Sequence, residues 1–239
     1  MKNILKRSIL VVLMIIGFLS LSVSSCEQLV RIPLSEAEVA GGLREALTIG
    51  AINAVLMTNK EDGFFGNSAI RIPFPPEASG AMNYMQNSAL LRPLLNEFVL
   101  RLNRAAEQAS AQARPIFVNA IRDITIQDAW GILRGGQNAA TTYLHSRTYS
   151  PLYDSFRPEI IKSLNSVGAQ QAWQELTIAY NAIAAFSPSL NTVNTDLADY
   201  ATRKALDGLF HLVSQEELKI RTDPVARGSD LLQKVFAQQ

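Results

Sequence analysis

The chain has 239 residues, of which 22 are Lys or Arg and 21 are Asp or Glu, so its formal net charge is +1. This balance excludes a protein that holds nucleic acid through bulk positive charge. Apolar residues make up 48% and charged residues 18%, which excludes a disordered chain and predicts a packed core.

The first 25 residues have the pattern of a secretion signal. Lys2, Lys6 and Arg7 precede an uncharged and mostly apolar run over residues 8–25. This run becomes rich in serine before it provides the roughly 20 apolar residues that a membrane-spanning helix needs. We therefore expect residues 1–25 to be a signal peptide.

Cys26 is the only cysteine and ends the sequence Val23-Ser24-Ser25-Cys26, which resembles the bacterial lipobox. In that motif the cysteine thiol carries a diacylglycerol, and two or more acyl chains such as palmitate hold a protein firmly on a membrane. The alternative is an incidental cysteine. Because one cysteine and two histidines offer neither an internal disulfide nor a Cys/His zinc site, we favour lipidation. We expect a tether over residues 26–33 and attachment to the outer membrane, facing the periplasm.

Residues 34–239 are expected to form a single all-α domain, a bundle of about eight to ten helices, because no internal repeat or long charge block divides them. Ser35 and Glu38 have capping-box spacing, which predicts a first helix from Ser35 to near Met57. Residues 69–76 then alternate and run into prolines, which predicts one short β or extended excursion.

The next helices are predicted from apolar residues at three- and four-residue steps and from their end signals. Thr125 opens one that Gly135 ends, Ser150 and Pro151 open another, and Pro158 is expected to divide it. The predicted spans are 93–113, 126–134, 137–147, 151–165 and 169–184.

The last third of the chain begins with a predicted loop over residues 186–194. Thr195 and Asp196 then open a helix whose wide apolar surface predicts a position near the middle of the bundle. Residues 214–217 repeat the capping-box pattern, which predicts a kink or a restart. Asp223 and Pro224 turn the chain into a final helix.

Short segments spread over nearly the whole body carry a family resemblance. They are residues 34–36, 42–47, 62–64, 70–73, 103–107, 115–117, 139–143, 204–210 and 230–236. In this order they resemble a family of bacterial lipoproteins catalogued only as a domain of unknown function (family 4197). The resemblance implies one domain and brings no activity, substrate or binding residue.

Several polar residues lie among alanines and aromatic residues and are candidates for a polar pocket. Arg104 and Glu107 are three residues apart on a helix, beside Asn103, and an ion pair or a solvated face is the alternative reading. The candidate set is Asn103, Arg104, Glu107, Asp128, Thr141, Tyr143, Asp207, Arg221, Arg227 and Asp230. The aromatic residues, Tyr149 and Trp173 among them, are expected to pack in the core, with an apolar cavity for a small ligand as the alternative.

His145 and His211 are the obvious acid–base candidates, but neither lies in a catalytic motif. The sequence holds no His-Glu-x-x-His, Gly-x-Ser-x-Gly, Walker or Rossmann signature. We therefore predict no catalytic, cofactor-binding or metal-binding residue and no enzymatic activity. Convergence of Glu107, Asp128 and His145 on one cleft would reverse this prediction.

Two functional hypotheses follow. The first is a non-enzymatic envelope lipoprotein that binds a partner protein or organises the envelope, with no nucleic-acid partner. The second is a binding module for a small hydrophobic or anionic ligand held between helices.

Overall fold

The computed structural model describes residues 34–79, 86–87, 89, 92–166, 168–186, 192 and 194–237. The predicted signal peptide, Cys26 and the tether lie outside these residues, as does most of the predicted loop at 186–194. Residues from Leu34 onward form one compact unit.

Helices supply the regular structure of the described residues, and no strand occurs among them. In chain order they are α1 (Glu36–Thr58), α2 (Arg92–Ala109), α3 (Ala113–Arg122), α4 (Ile126–Arg134), α5 (Ala139–Asn165), α6 (Ala169–Ala184), α7 (Leu197–Thr222) and α8 (Asp230–Phe236). Short 3-10 turns lie at Pro76–Ala78, Ser110–Gln112 and Pro224–Ala226. The all-α prediction is confirmed. The predicted count of eight to ten helices is not supported, because only seven of the described helices have nine residues or more and the eighth, α8, has seven residues.

Helix α1 begins as predicted, because Ser35 accepts a hydrogen bond from the Glu38 amide and donates its own amide to the Glu38 carboxylate. It packs against α3, α4, α7 and α8. Gly42 permits the contact with α8, since a Cβ there would lie 2.8 Å from Val235. Among the described helices, α1 alone is long and apolar enough to cross a membrane, but 56% of its most apolar window is buried in the protein. A core helix accounts for both properties.

The predicted short β or extended excursion at residues 69–76 is not supported, because residues 68–70 form a turn and a 3-10 turn begins at Pro76. Between them, residues 71–75 have no regular secondary structure and are called the extended segment below. Ile70, Ile72 and Phe74 alternate because their side chains are buried on one side of this segment. The backbone groups of Ile72 bond to the side-chain amide of Asn103, at 2.8 and 2.9 Å, where a strand would bond to a neighbouring strand.

The predicted breaks at Pro151 and Pro158 are wrong, because α5 runs through both prolines. Its buried residues recur at every fourth position without interruption: Ala140, Leu144, Thr148, Leu152, Phe156, Ile160 and Leu164. A proline inside a helix costs about 3 kcal/mol, whereas burying one large apolar side chain contributes about 1.5–3 kcal/mol. The continuous buried face of α5 therefore outweighs two proline defects.

The predicted restart at residues 214–217 is also wrong, because α7 continues from Leu197 to Thr222. Its central position is as predicted, since it packs against α1, α2, α5 and α6. Helix α3 was not predicted. The helix expected over 93–113 ends at Ala109, and the 3-10 turn Ser110–Gln112 joins it to α3.

Candidate functional site

Asn103 and Glu107 of α2 bind the backbone of the segment that follows α1. The Asn103 amide is fully buried and, besides Ile72, donates to the Val99 carbonyl at 2.7 Å. The Glu107 carboxylate accepts the amides of Phe64 and Phe65 at 3.1 and 3.2 Å. These contacts hold the extended segment and the preceding turn on α2.

Arg104 joins the same cluster through its ion pairs. Its guanidinium lies 2.6 Å from the Glu107 carboxylate, 2.8 Å from Asp62 and 3.4 Å from Glu61. The hydrogen bond with Glu107 raises the pKa of Arg104. Asn103, Arg104 and Glu107 are thus paired inside the protein, and none of them lines the cavities described below. This removes the reason for predicting a pocket at these three residues.

Thr141, Glu217 and Arg221 form a second, structural cluster. Glu217 of α7 accepts the backbone amides of Ala140 and Thr141 at 2.9 and 2.8 Å and the Thr141 hydroxyl at 2.7 Å. It therefore caps the start of α5, where Asn138 makes no side-chain cap.

Arg221 completes this cluster from the next turn of α7. It bonds to Glu217 at 2.9 Å and donates to the last carbonyls of α4, Ile132 at 2.8 Å and Leu133 at 3.2 Å. Arg227 in turn donates to the Ile220 and Arg221 carbonyls. The adjoining cavity holds about 20 Å³, which is room for about one water molecule. These arginines stabilise helix ends.

Asp128 and Tyr143 lie together in a cleft between α3, α4 and α5, named here the Tyr143 cleft. Its volume is about 490 Å³. It is lined by Ile116, Asn119, Ala120, Asp123, Thr125, Asp128, Tyr143, Arg147, Thr148 and Pro151. The Tyr143 hydroxyl lies 3.4 Å from the Asp128 carboxylate, and Arg147 stacks over the Tyr143 ring.

Neighbouring groups in the Tyr143 cleft shift the pKa values of Asp128 and Tyr143. Hydrogen bonds from Thr125 lower the pKa of Asp128. Burial and the nearby Asp128 charge raise the pKa of Tyr143, so its hydroxyl stays protonated and able to donate. The cleft offers one cation, two carboxylates and a phenol.

A second cleft of about 520 Å³, named here the Tyr200 cleft, lies where α5, α6 and α7 meet the extended segment. It is lined by Pro75, Pro76, Tyr149, Trp173, Asn194, Asp199, Tyr200, Arg203, Lys204 and Asp207. Asp207, a candidate from the sequence, lies at its exposed edge and pairs with Lys204 at 3.2 Å. Tyr200 and the two prolines were not site candidates from the sequence, because only the packing of distant segments brings them together.

The other candidates lie elsewhere. Asp230 is exposed in the first turn of α8. The His145 ring contacts Tyr149 and Phe210, and His211 bonds to Gln215 at 3.2 Å. Glu107, Asp128 and His145 share none of the three cavities above. Within the described residues no three His, Cys, Asp or Glu side chains are grouped to hold a metal ion.

One comparison with known proteins gave a match. A family model described as "Protein of unknown function (DUF4197)" matches residues 33–237. No curated protein and no solved structure matches the chain.

Proposed function

We propose that this chain, which belongs to the DUF4197 family of proteins of unknown function, is a lipid-anchored protein of the bacterial cell envelope. The observation that carries this proposal is the sequence Val23-Ser24-Ser25-Cys26 directly after a signal-like segment. The diacylated Cys26 anchors the protein in the outer membrane, and the body from Leu34 faces the periplasm.

The body acts by binding a partner protein or organising the envelope, without catalysing a reaction. Two facts support this part of the proposal. The buried side chains of Asn103, Glu107 and Glu217 bind backbone groups of the chain itself. The acid–base candidates Glu107, Asp128 and His145 share none of the three cavities described above.

Replacing the anchor cysteine tests the lipidation. Cys26→Ser removes the thiol that carries the diacylglycerol, so the protein is expected to leave the membrane fraction or to keep its signal peptide. Ser24→Ala is the matched control, because it keeps a small residue at a neighbouring position. Fractionation of cells with immunodetection checks both variants. A Cys26→Ser protein that stays in the membrane fraction with its signal peptide removed, as in wild type, would contradict lipid anchoring.

Proximity labelling in the native host tests the partner. A labelling enzyme fused to the C-terminus of the lipoprotein is compared with the same enzyme secreted into the periplasm. Recovery of a protein enriched over the secreted control supports partner binding. Labelling patterns that match the secreted control count against it.

A small-ligand function is the second candidate, and the Tyr143 cleft favours it. Arg147 at this cleft supplies a cation for an anionic group, while Ile116, Ala120 and the Tyr143 ring supply apolar contacts. Native mass spectrometry of the detergent-solubilised lipoprotein is the test. A stoichiometric extra mass that is lost on denaturation would favour this candidate over partner binding, and a bare mass would count against it.

A further inference from the structure

Helix α1 has an apolar stripe that faces outward from the described part of the chain. Ile49, Leu56 and Met57 are 37%, 60% and 37% exposed, and Ile52 between them is partly exposed. Positions 49, 52 and 56 are three and four residues apart, so these side chains lie in one row on the helix surface. Single exposed apolar residues are common on protein surfaces, whereas a continuous apolar patch is typical of an interface.

Charged residues of opposite sign lie at the two ends of this stripe. Glu45 lies about one turn before Ile49, and Lys60 lies about one turn after Leu56, just beyond the end of α1. Neither residue makes an ion pair with another described residue. The two acidic residues directly after Lys60 pair with Arg104 instead. The stripe therefore has an unpaired carboxylate at one end and an unpaired ammonium at the other.

The stripe is complementary to a second copy of itself that runs in the opposite direction. Its midpoint lies just after Ile52, because residues 45 and 60 are equally far from that point along the chain, as are residues 49 and 56. A two-fold axis at this point places Ile49 of each copy against Leu56 of the other, and Glu45 of each copy against Lys60 of the other. A parallel pair would instead place like charges together, which is unfavourable.

We propose that α1 pairs with α1 of a second copy of this chain, antiparallel and through this stripe. The inference goes beyond the proposed function, because this self-association needs neither the anchor nor another partner. Burial of the apolar side chains supplies the affinity, and the contacts between Glu45 and Lys60 set the direction of pairing. A lipid surface is the alternative occupant, but it does not account for opposite charges at the two ends of the stripe.

Disulfide crosslinking of the full-length protein in intact cells tests the pairing and its register. Ile52→Cys puts a thiol beside the two-fold axis, where the two copies of residue 52 are about 1.5 Å apart along the helices. Leu56→Cys is the matched control, because its two copies are about 10 Å apart along the helices, too far for a disulfide, although Leu56 is highly exposed. With copper phenanthroline as the oxidant, we expect at least about fivefold more dimer from Ile52→Cys on a non-reducing gel.

A charge exchange in the Ile52→Cys background tests the direction of pairing. Glu45→Lys places two cations opposite each other, and Lys60→Glu places two carboxylates opposite each other. Each change is expected to lower the dimer yield about threefold or more, and Glu45→Lys/Lys60→Glu together is expected to restore it. Both positions lie outside the hydrophobic core, so the fold is retained, which far-UV circular dichroism of the purified variants checks.

Three outcomes would overturn the inference. They are no dimer from Ile52→Cys, a yield from Leu56→Cys equal to or above it, and no recovery in the double charge variant. Brominated phospholipids that quench a bimane attached to the Ile52→Cys protein in vesicles would also overturn it and assign the stripe to the membrane. Failure of the proposed lipidation is read separately in wild type, where a Cys26 thiol without acyl chains would form a dimer with no added cysteine.

Discussion

Three buried polar side chains, Asn103, Glu107 and Glu217, bind backbone groups of distant segments. Each side chain accepts hydrogen bonds from backbone amides that would otherwise lack a partner inside the protein. A buried backbone group without a partner costs about 1–3 kcal/mol. These three side chains therefore stabilise the fold, although their residue types alone would suit a ligand site equally well.

Glu217→Gln is predicted to destabilise the protein by about 3 kcal/mol, because it leaves Arg221 buried without its carboxylate. The amide also has only one acceptor oxygen, whereas both carboxylate oxygens of Glu217 accept the backbone N–H groups of Ala140 and Thr141. Glu175→Gln is the control on an exposed face of α6, with an expected change within about 0.5 kcal/mol. Urea unfolding measures both free energies. Equal losses in the two variants would contradict the role of Glu217 as a cap.

Asp128 is predicted to contribute stability that depends on pH. Hydrogen bonds from Thr125 lower the pKa of Asp128 in the folded protein below its ordinary value of 3.8. Its contribution is therefore present above pH 3.8 and is lost as pH falls through the folded pKa. We expect wild type to exceed Asp128→Asn in unfolding free energy at pH 6, with a difference that shrinks below pH 3.8. A difference that stays constant down to pH 2.5 would show that the carboxylate charge contributes nothing.

At the scale of elements, close approach decides how the segment after α1 packs on α7. Gly208 of α7 is buried, and a Cβ there would lie 2.7 Å from the Phe64 ring and 3.0 Å from Ile70. Phe64 is fully buried and Ile70 nearly so, which leaves neither residue room to move. The helix surface at Gly208 is therefore matched in shape to the turn and the extended segment.

Gly208→Ala is predicted to destabilise the protein by about 1–2 kcal/mol, because overpacking exceeds the gain in helix propensity. Gly131→Ala in α4 is the matched control, since nothing lies within 4 Å of its added Cβ. That variant is expected to gain up to about 1 kcal/mol from propensity alone. Thermal or urea unfolding ranks the two. A stabilising Gly208→Ala would show that the segment is packed loosely on α7.

At the scale of the whole molecule, one hydrophobic core includes residues from each of the helices α1 to α8. Helices α1 and α7 pack against each other, and each contacts several further helices. A core shared in this way couples the helices, so that losing one exposes buried surface on others. This arrangement favours a single cooperative unfolding transition.

Two single-tryptophan variants are predicted to report the same transition. Trp130→Phe leaves Trp173 on α6, and Trp173→Phe leaves Trp130 on α4. Within each variant, we expect the urea midpoint from fluorescence to coincide with that from far-UV circular dichroism. Each variant is its own control, because fluorescence and circular dichroism are measured on the same protein with the same free energy of unfolding. Separate midpoints in either variant would indicate that the body contains more than one folding unit.

The starts of several helices were predictable because their signals are local. Ser35, Thr125 and Asp196 each accept the backbone amide three residues on, as their positions before apolar runs indicated. Pro151 and Pro158 were misleading for the opposite reason. Whether a proline ends a helix depends on how much apolar surface the flanking turns bury, which is a property of their partners.

The sequence by itself determined the all-α class, the main helix starts and a list of candidate residues. It could do so because caps and periodic burial act over a few neighbouring positions. Only the tertiary structure decided which groups the polar side chains bind. Glu217 resembled a local cap and instead caps α5, 76 residues away. Pro75, Tyr149 and Tyr200 form one cleft for the same reason: contacts between distant segments depend on packing, which no local pattern encodes.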